Sequence, residues 1–338
     1  MAERYSRQER FAPIGKEGQA LLAEKHVLIV GAGALGSANA EMLARAGIGR
    51  ITIIDRDYIE WSNLARQQLY TEEDAASSRA KAKAAEARLK AINSTINVEG
   101  IAEEFDPENA ELLLKDVDIL IDGTDNFNTR FIINDAACKY KIPWIYGGCV
   151  KSDGISLSIL PGQTPCLQCL IDQLPQDIET CETAGIIGPA VQVTAAYQTA
   201  ECLKFLTGHS MSTHLVSFDV WGRQYSSIDV VKLKDPHCAS CSDDAQFPYL
   251  KKEKGIRTAV LCGRNTVQVR PGRKENVNLE RLAQRIEPFA GEARVNEVLL
   301  RFHMEEKRFV VFKDGRTLIH GVEDVQEAKK LYHRYVEA

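Results

Sequence analysis

No stretch of the 338-residue chain is apolar over the ~20 residues that a helix needs to cross a bilayer. That absence excludes a helical membrane protein. The first residues, Met1-Ala2-Glu3-Arg4-Tyr5-Ser6-Arg7, lack the apolar core of a secretory signal. Internal repeats and low-complexity tracts are missing too. The expectation is a cytoplasmic protein, with neither a membrane nor nucleic acid as partner. Nine cysteines are present, but in such a chain they argue against a disulfide framework.

What is there is ordinary for a globular protein: 44% apolar and 26% charged residues. The length suggests about two domains, each able to bury a core without metals or disulfides. The net charge of −5 hides an asymmetry. From Lys251 onward there are 19 basic and 13 acidic residues, against 23 and 34 before it. A basic end piece on an acidic body indicates two modules. It either favours an acidic partner or is simply a solvated surface.

Residues 14–24 read as a short helix. Lys25-His26-Val27-Leu28-Ile29-Val30 is a continuous apolar run, as in a strand buried on both faces. A glycine turn, a helix over 35–47 and a strand over 50–55 follow, so the start is a βαβ unit and the sheet is parallel. The alternation continues with helices over 78–92, 107–115 and 127–141, and strands over 96–101, 117–122 and from Pro143. Segments 154–160 and 214–233 alternate like antiparallel strands, separated by a long helix over 189–206. Residues 243–256 read as a linker. The expected domains are 1–245 and 255–338. The second is a small α+β piece with two strands around Gly263-Arg264-Asn265, a helix at 277–289, three strands through Ile319 and a helix at 323–336. Lys313-Asp314-Gly315-Arg316 marks a hairpin there.

Gly31, Gly33 and Gly36 form GxGxxG between a strand and a helix. Gly31 permits the tight turn, Gly33 lets a phosphate approach, and Gly36 allows close helix–strand packing. The helix start supplies free N–H donors and a positive partial charge. Asp55 ends the second strand, where an acid can hold ribose hydroxyls. This is an adenine-nucleotide signature, and NAD is the default occupant. Ser62-Asn63-Leu64-Ala65-Arg66-Gln67 and Lys81 then bring polar and cationic groups past the second strand, more charge than a dinucleotide requires. Gly123-Thr124-Asp125-Asn126 sits at the end of a buried strand, and a carboxylate there suits Mg²⁺ on phosphate oxygens. Together these favour ATP.

Cys166 and Cys169 form one CxxC, Cys238 and Cys241 another. Two close pairs of thiolates match a tetrahedral structural Zn²⁺ site, with no open position for catalysis. His237 beside Cys238 reads as a neighbour, not a ligand. Cys181, in the polar segment Glu179–Gly185, is a candidate nucleophile.

These motifs, taken in order with Tyr5-Ser6-Arg7-Gln8 and Thr180-Cys181, resemble the MoeB/ThiF family of adenylyltransferases, relatives of ubiquitin-activating enzymes. The resemblance covers residues 1 to about 245. It implies a Rossmann-like, mostly parallel sheet with an antiparallel extension and a zinc site. It also implies an enzyme that uses ATP and Mg²⁺ to adenylate the C-terminal Gly-Gly carboxylate of a ubiquitin-like sulfur carrier. Asp55 would then hold the ribose, and Arg66 and Lys81 the phosphates. Asn63 would help to orient those phosphates, Asp125 would hold Mg²⁺, and Arg7 would reach a neighbouring subunit's site, which implies a homodimer. Cys181 matches a cysteine that is covalently loaded in some members and dispensable in others. The carrier is of the molybdopterin (MoaD-like) or thiamine (ThiS-like) type, with a slight lean to the former. An NAD-dependent oxidoreductase and a non-catalytic nucleotide-binding scaffold are the competing readings. The tail beyond residue 251 departs from the family pattern and is expected to help dock the carrier.

Overall fold

The computed structural model describes residues 3–171, 183–251, 257–261, 265–271, 276–290 and 293–337. The chain divides into two compact units, Met1–Lys252 and Glu253–Ala338.

The first unit is built on one sheet of eight strands: β1 His26–Val30, β2 Arg50–Ile54, β3 Asn97–Ile101, β4 Ile119–Asp122, β5 Trp144–Val150, β6 Asp153–Ile159, β7 His214–Asp219 and β8 Gln224–Asp229. Its order is β3-β2-β1-β4-β5-β6-β7-β8. The first five strands pair in parallel and the last three extend the sheet antiparallel. The helices are α1 Gly15–Leu22, α2 Ala34–Ala46, α3 Glu72–Ala76, α4 Lys81–Ile92, α5 Ala110–Leu113, α6 Phe127–Tyr140, α7 Leu167–Leu170 and α8 Gly188–Leu206. Every residue of β1 and β4 is buried, because apolar clusters cover both faces of the sheet. β1 lies between β2 and β4, so the strand order reverses beside it. The carboxyl ends of the strands beside such a reversal are where α/β sheets bind ligands.

Local chemistry moved several expected boundaries. Ser78 takes a positive φ of 50° and Ala80 is extended, so the helix expected from 78 begins at Lys81. The segment 214–233 is two strands and a short 3₁₀ turn, Val231–Leu233, because Trp221-Gly222-Arg223 folds the chain back. The helix expected over 107–115 shrinks to four residues.

His26 is buried in β1 with both ring nitrogens engaged: Nδ1 lies 2.9 Å from the Asp116 carbonyl and Nε2 2.9 Å from the Thr52 hydroxyl. The neutral ring satisfies both, and burial lowers its pKa below the usual 6.5. The unfolded chain takes up this proton below about pH 6.5 while the native one does not. Stability is therefore complete above that pH and is lost as pH falls below it. Urea melts at pH 7.5 and 5.5 should differ by up to ~1 kcal/mol from this group, and His26→Asn should shrink that difference.

The second unit is a six-stranded antiparallel sheet of order β11-β12-β13-β14-β10-β9. Its strands are β9 Arg257–Leu261, β10 Thr266–Arg270, β11 Arg294–Val295, β12 Leu299–Met304, β13 Lys307–Phe312 and β14 Thr317–His320. Helices α9 Leu279–Ile286 and α10 Val325–Tyr332 share a core with one face through Leu282, Ile286, Phe302, Phe309 and Leu331. The expected three strands before Ile319 are four, since β11 adds a two-residue strand at the edge. The Lys313–Arg316 segment joins β13 to β14, closed by Gly315 N–H on the Phe312 carbonyl at 2.9 Å.

Candidate functional site

The glycine loop links β1 to α2. Gly31 has φ +93°, and a Cβ on it would lie 2.6 Å from the Gly123 carbonyl oxygen. A Cβ on Gly36 would lie 1.8 Å from the Gly31 carbonyl oxygen. Packing thus demands both glycines. Gly33 differs: a Cβ there would meet nothing closer than 3.9 Å. The protein leaves that space open at the start of a 13-residue helix that has no side-chain cap. The N–H groups at such a helix start are a general binding feature for anions.

Asp55 closes the loop from the β2 side. Its Oδ2 accepts from Ala32 N–H at 2.6 Å and its Oδ1 from Asp57 N–H at 2.6 Å. Burial raises its pKa, and the nearby Lys81 opposes the rise. Lys81 is the first residue of α4, almost wholly buried, with Nζ 3.8 Å from Asp57 Oδ2. Arg56 pairs with Glu104 at 2.6 Å, and its pKa is raised by Glu104, Asp57 and Asp125 together, against burial. Asp125 is thus near enough to Arg56 for their charges to interact, which sets the loops after β2 and β4 near one another.

Asn63 is buried, and its Oδ1 accepts from Glu60 N–H at 3.0 Å. It braces its own segment. Arg66 is half-buried and donates through Nη1 to the exposed Ser62's carbonyl at 2.8 Å. This segment reaches the glycine loop through Gln67, a buried side chain whose Oε1 has no hydrogen-bond partner among the described residues. Tyr70 follows, donating to the Ala32 carbonyl at 2.5 Å. On the β4 side, Thr124 donates through N–H and hydroxyl to Asp122 Oδ1 at 2.8 and 2.6 Å. Asp125 is exposed. Asn126 caps α6, its Oδ1 accepting from Thr129 N–H at 2.9 Å, so that side chain serves the helix.

Arg7 lies away from these groups. Its neighbours anchor the N-terminal segment to the far end of α2. Gln8 donates to the Ala46 carbonyl at 2.9 Å, and the Tyr5 ring packs on Gly47 while accepting from Asn93 at 2.8 Å. Arg7 itself is exposed. Cys181 lies outside the described residues.

Cys166, Cys169, Cys238 and Cys241 converge, with all four sulfurs within 4.8 Å of one another. Individual separations are 3.8 Å (Cys166–Cys169), 3.6 Å (Cys166–Cys238) and 3.4 Å (Cys169–Cys241). A tetrahedron with ~2.3 Å metal–sulfur bonds has edges of about 3.8 Å, so the thiols fit one ion. Helix α6 holds both loops. Asn134 Oδ1 accepts from Leu167 N–H at 2.8 Å, and Asp135 bonds the Ser240 hydroxyl. His237 is exposed and outside the cluster.

Residue order alone did not mark Asp57 and Arg56 beside these groups, nor the Asp122–Arg130 pair that braces the backbone beneath them. A paired Arg–Asp in a fold of this kind carries no spacing signature; only Asp57, two residues past Asp55 at a strand end, had a positional signal.

A family model described as the ThiF family matches residues 5–240. The chain belongs to the ThiF family. It is an adenylyltransferase, as its ThiF relatives are named. It is 48% identical to the sulfur carrier protein ThiS adenylyltransferase of Bacillus subtilis (strain 168), over 99% of this chain and 100% of that one. It is 35% identical to a sulfur carrier protein adenylyltransferase of Thermus thermophilus, over 72% of this chain and 91% of that one. A crystal structure of E. coli MccB with ATP superposes with a TM-score of 0.60 at 26% identity, covering 72% of this chain and 74% of that one. The ThiF fold reproduces the expected mostly parallel sheet with its antiparallel extension.

Proposed function

We propose that this ThiF-family enzyme adenylates the C-terminal carboxylate of a ubiquitin-like sulfur carrier of the ThiS type. The observation that carries the choice of carrier is the extent of similarity. The ThiS adenylyltransferase matches through the second unit, whereas the Thermus relative covers 72% of the chain. This shifts the balance from the MoaD-like carrier toward the ThiS-like one, and the second unit is proposed to help dock it.

In the reaction, a carboxylate oxygen of the carrier's terminal glycine attacks the α-phosphorus of ATP. The bond from that phosphorus to the bridging oxygen breaks, pyrophosphate leaves and an acyl-adenylate remains. The chain's part is positioning and charge. The α2 N-terminus and Gly33 receive the phosphates, Asp55 orients the ribose, and Arg66 and Lys81 face the charge that builds on the phosphate oxygens. Asn63 keeps the Arg66 segment in place. Ser62, Thr124 and Asn126 line or brace the same site. The exposed Asp125 carboxylate would hold Mg²⁺, which neutralises the leaving pyrophosphate when bound. Cys181 is assigned no step.

Arg7 is proposed to act in a second copy of the chain. Its anchors lie at the C-terminal end of α2, and the phosphate loop at the other end of a helix about 20 Å long. Its own site is out of reach, so the reading carries a homodimer with it.

The four thiols are proposed to bind Zn²⁺ as a structural ion. Cys238→Ser, or metal removal by a chelator, should lower the unfolding temperature by roughly 10 °C or more. His237→Ala should leave it unchanged. Metal analysis that finds no zinc in the purified protein would overturn the assignment.

The functional test is ATP–pyrophosphate exchange with purified carriers. Exchange should depend on a Gly-Gly-tailed carrier and be fastest with a ThiS-like one. A faster rate with a MoaD-like carrier would reverse the choice of pathway, and no exchange with either would reject the reading.

A further inference from the structure

We infer that Arg130 and Asp122 form a preset bracket that fixes the direction of Asp125, making them positioning residues for the metal-binding step. This rests on the reading of Asp125 as the metal-holding carboxylate.

Asp122 ends β4 and is fully buried, and Arg130 lies in the second turn of α6 with its side chain 8% exposed. Arg130 Nε donates to Asp122 Oδ2 at 2.9 Å. Its Nη2 donates to the Thr124 carbonyl at 2.7 Å and to the Gly147 carbonyl at 3.0 Å. The other Asp122 oxygen already holds the Thr124 N–H and hydroxyl. Residue 124 is therefore gripped at its donor, its acceptor and its side chain by one ion pair. The guanidinium sits 5.1 Å from the ring centroids of both Phe127 and Tyr146, which confine it. On the other side, Gly123 is pressed against Gly31 so closely that neither tolerates a Cβ.

The loop backbone is thus locked on both sides, and Asp125 is the first residue released to solvent. A helix cap at Asn126 fixes the next residue. Breaking a buried ion pair is expensive, and replacing one with apolar residues is often tolerated. Stability alone does not explain why a cation that also bonds two carbonyls stands here. Pre-organisation does: a carboxylate that would hold a cation loses less freedom on binding if its backbone is already set.

The test uses the full-length protein and calorimetric titration of ATP with and without Mg²⁺. Wild type should bind ATP more tightly with Mg²⁺, and Asp125→Asn should lose that gain. Arg130→Lys keeps the charge opposite Asp122 but cannot hold both carbonyls. It should cut the Mg²⁺-dependent gain at least tenfold while leaving metal-free ATP binding within about twofold. Asp122→Asn should do the same. Retention of the full gain in folded Arg130→Lys, with Asp125→Asn defective, would overturn the bracket alone. No gain in wild type, or an intact gain in Asp125→Asn, would overturn the reading of Asp125 and the bracket with it. If neither bracket variant folds, the pair is a structural element and the inference fails.

Discussion

Lys81→Ala should reduce carrier-dependent ATP–pyrophosphate exchange by about 10³-fold, equivalent to roughly 4 kcal/mol of transition-state stabilisation. Two effects add. The variant removes a cation that is shielded from solvent and therefore acts at low effective dielectric. It also leaves Asp55 beside Asp57, which still has Arg56 at 3.8 Å, with one positive charge fewer to face incoming phosphates. Lys81 opposes the burial-driven rise in the Asp55 pKa, so its loss should also push that carboxyl further toward its neutral form. The unfolding temperature of the variant, measured alongside, separates lost chemistry from lost fold. Exchange within tenfold of wild type would mean that Lys81 is only a partner for Asp57.

Two glycine substitutions in the same loop should fail for opposite reasons. Gly36→Ala places a methyl 1.8 Å from the Gly31 carbonyl oxygen, a backbone atom that cannot rotate away. The α2 helix must shift off β1, at a cost of about 3 kcal/mol or more. Gly33→Ala meets no atom closer than 3.9 Å, and its stability should change by less than ~1 kcal/mol. The space it fills is the one proposed to receive phosphate, so ATP affinity should drop at least tenfold. Urea unfolding together with ATP titration distinguishes the two. A Gly33→Ala protein with normal affinity would place the nucleotide elsewhere.

The parts of the site that could be read from the sequence are those with short-range signatures. GxGxxG between a strand and a helix, an acid at the end of the next strand, and two CxxC pairs each declare themselves within a few residues. The strand-order reversal beside β1 follows from the same alternation of elements, whereas the helix start at Lys81 does not, since the expected helix began at residue 78. The support beneath them could not be read this way. Arg130 falls within a helix, where a charged residue normally faces solvent, and its partner Asp122 looks like the end of a strand. Only the fold brings them together with the Gly147 carbonyl. Gln67 is similar: its position in a polar motif does not disclose that it is buried against the glycine loop. In the second unit, β11 is two residues long, too short for any alternation to register. Its pairing with β12 depends on tertiary context.

Arg7 shows the complementary case. The motif Tyr5–Gln8 suggested a role in a neighbouring subunit through resemblance alone. The structure supplies a physical reason to pursue it, because Tyr5 and Gln8 are spent on the far end of α2 while Arg7 is left exposed.

The central claim is that a carboxylate oxygen of the carrier attacks the α-phosphorus. It is tested most directly by labelling both oxygens of the carrier's C-terminal carboxylate with ¹⁸O, running the reaction with ATP, and capturing the activated acyl group with hydroxylamine. The account predicts AMP carrying one ¹⁸O and unlabelled pyrophosphate. Label in inorganic phosphate, or AMP formed without label, would contradict it.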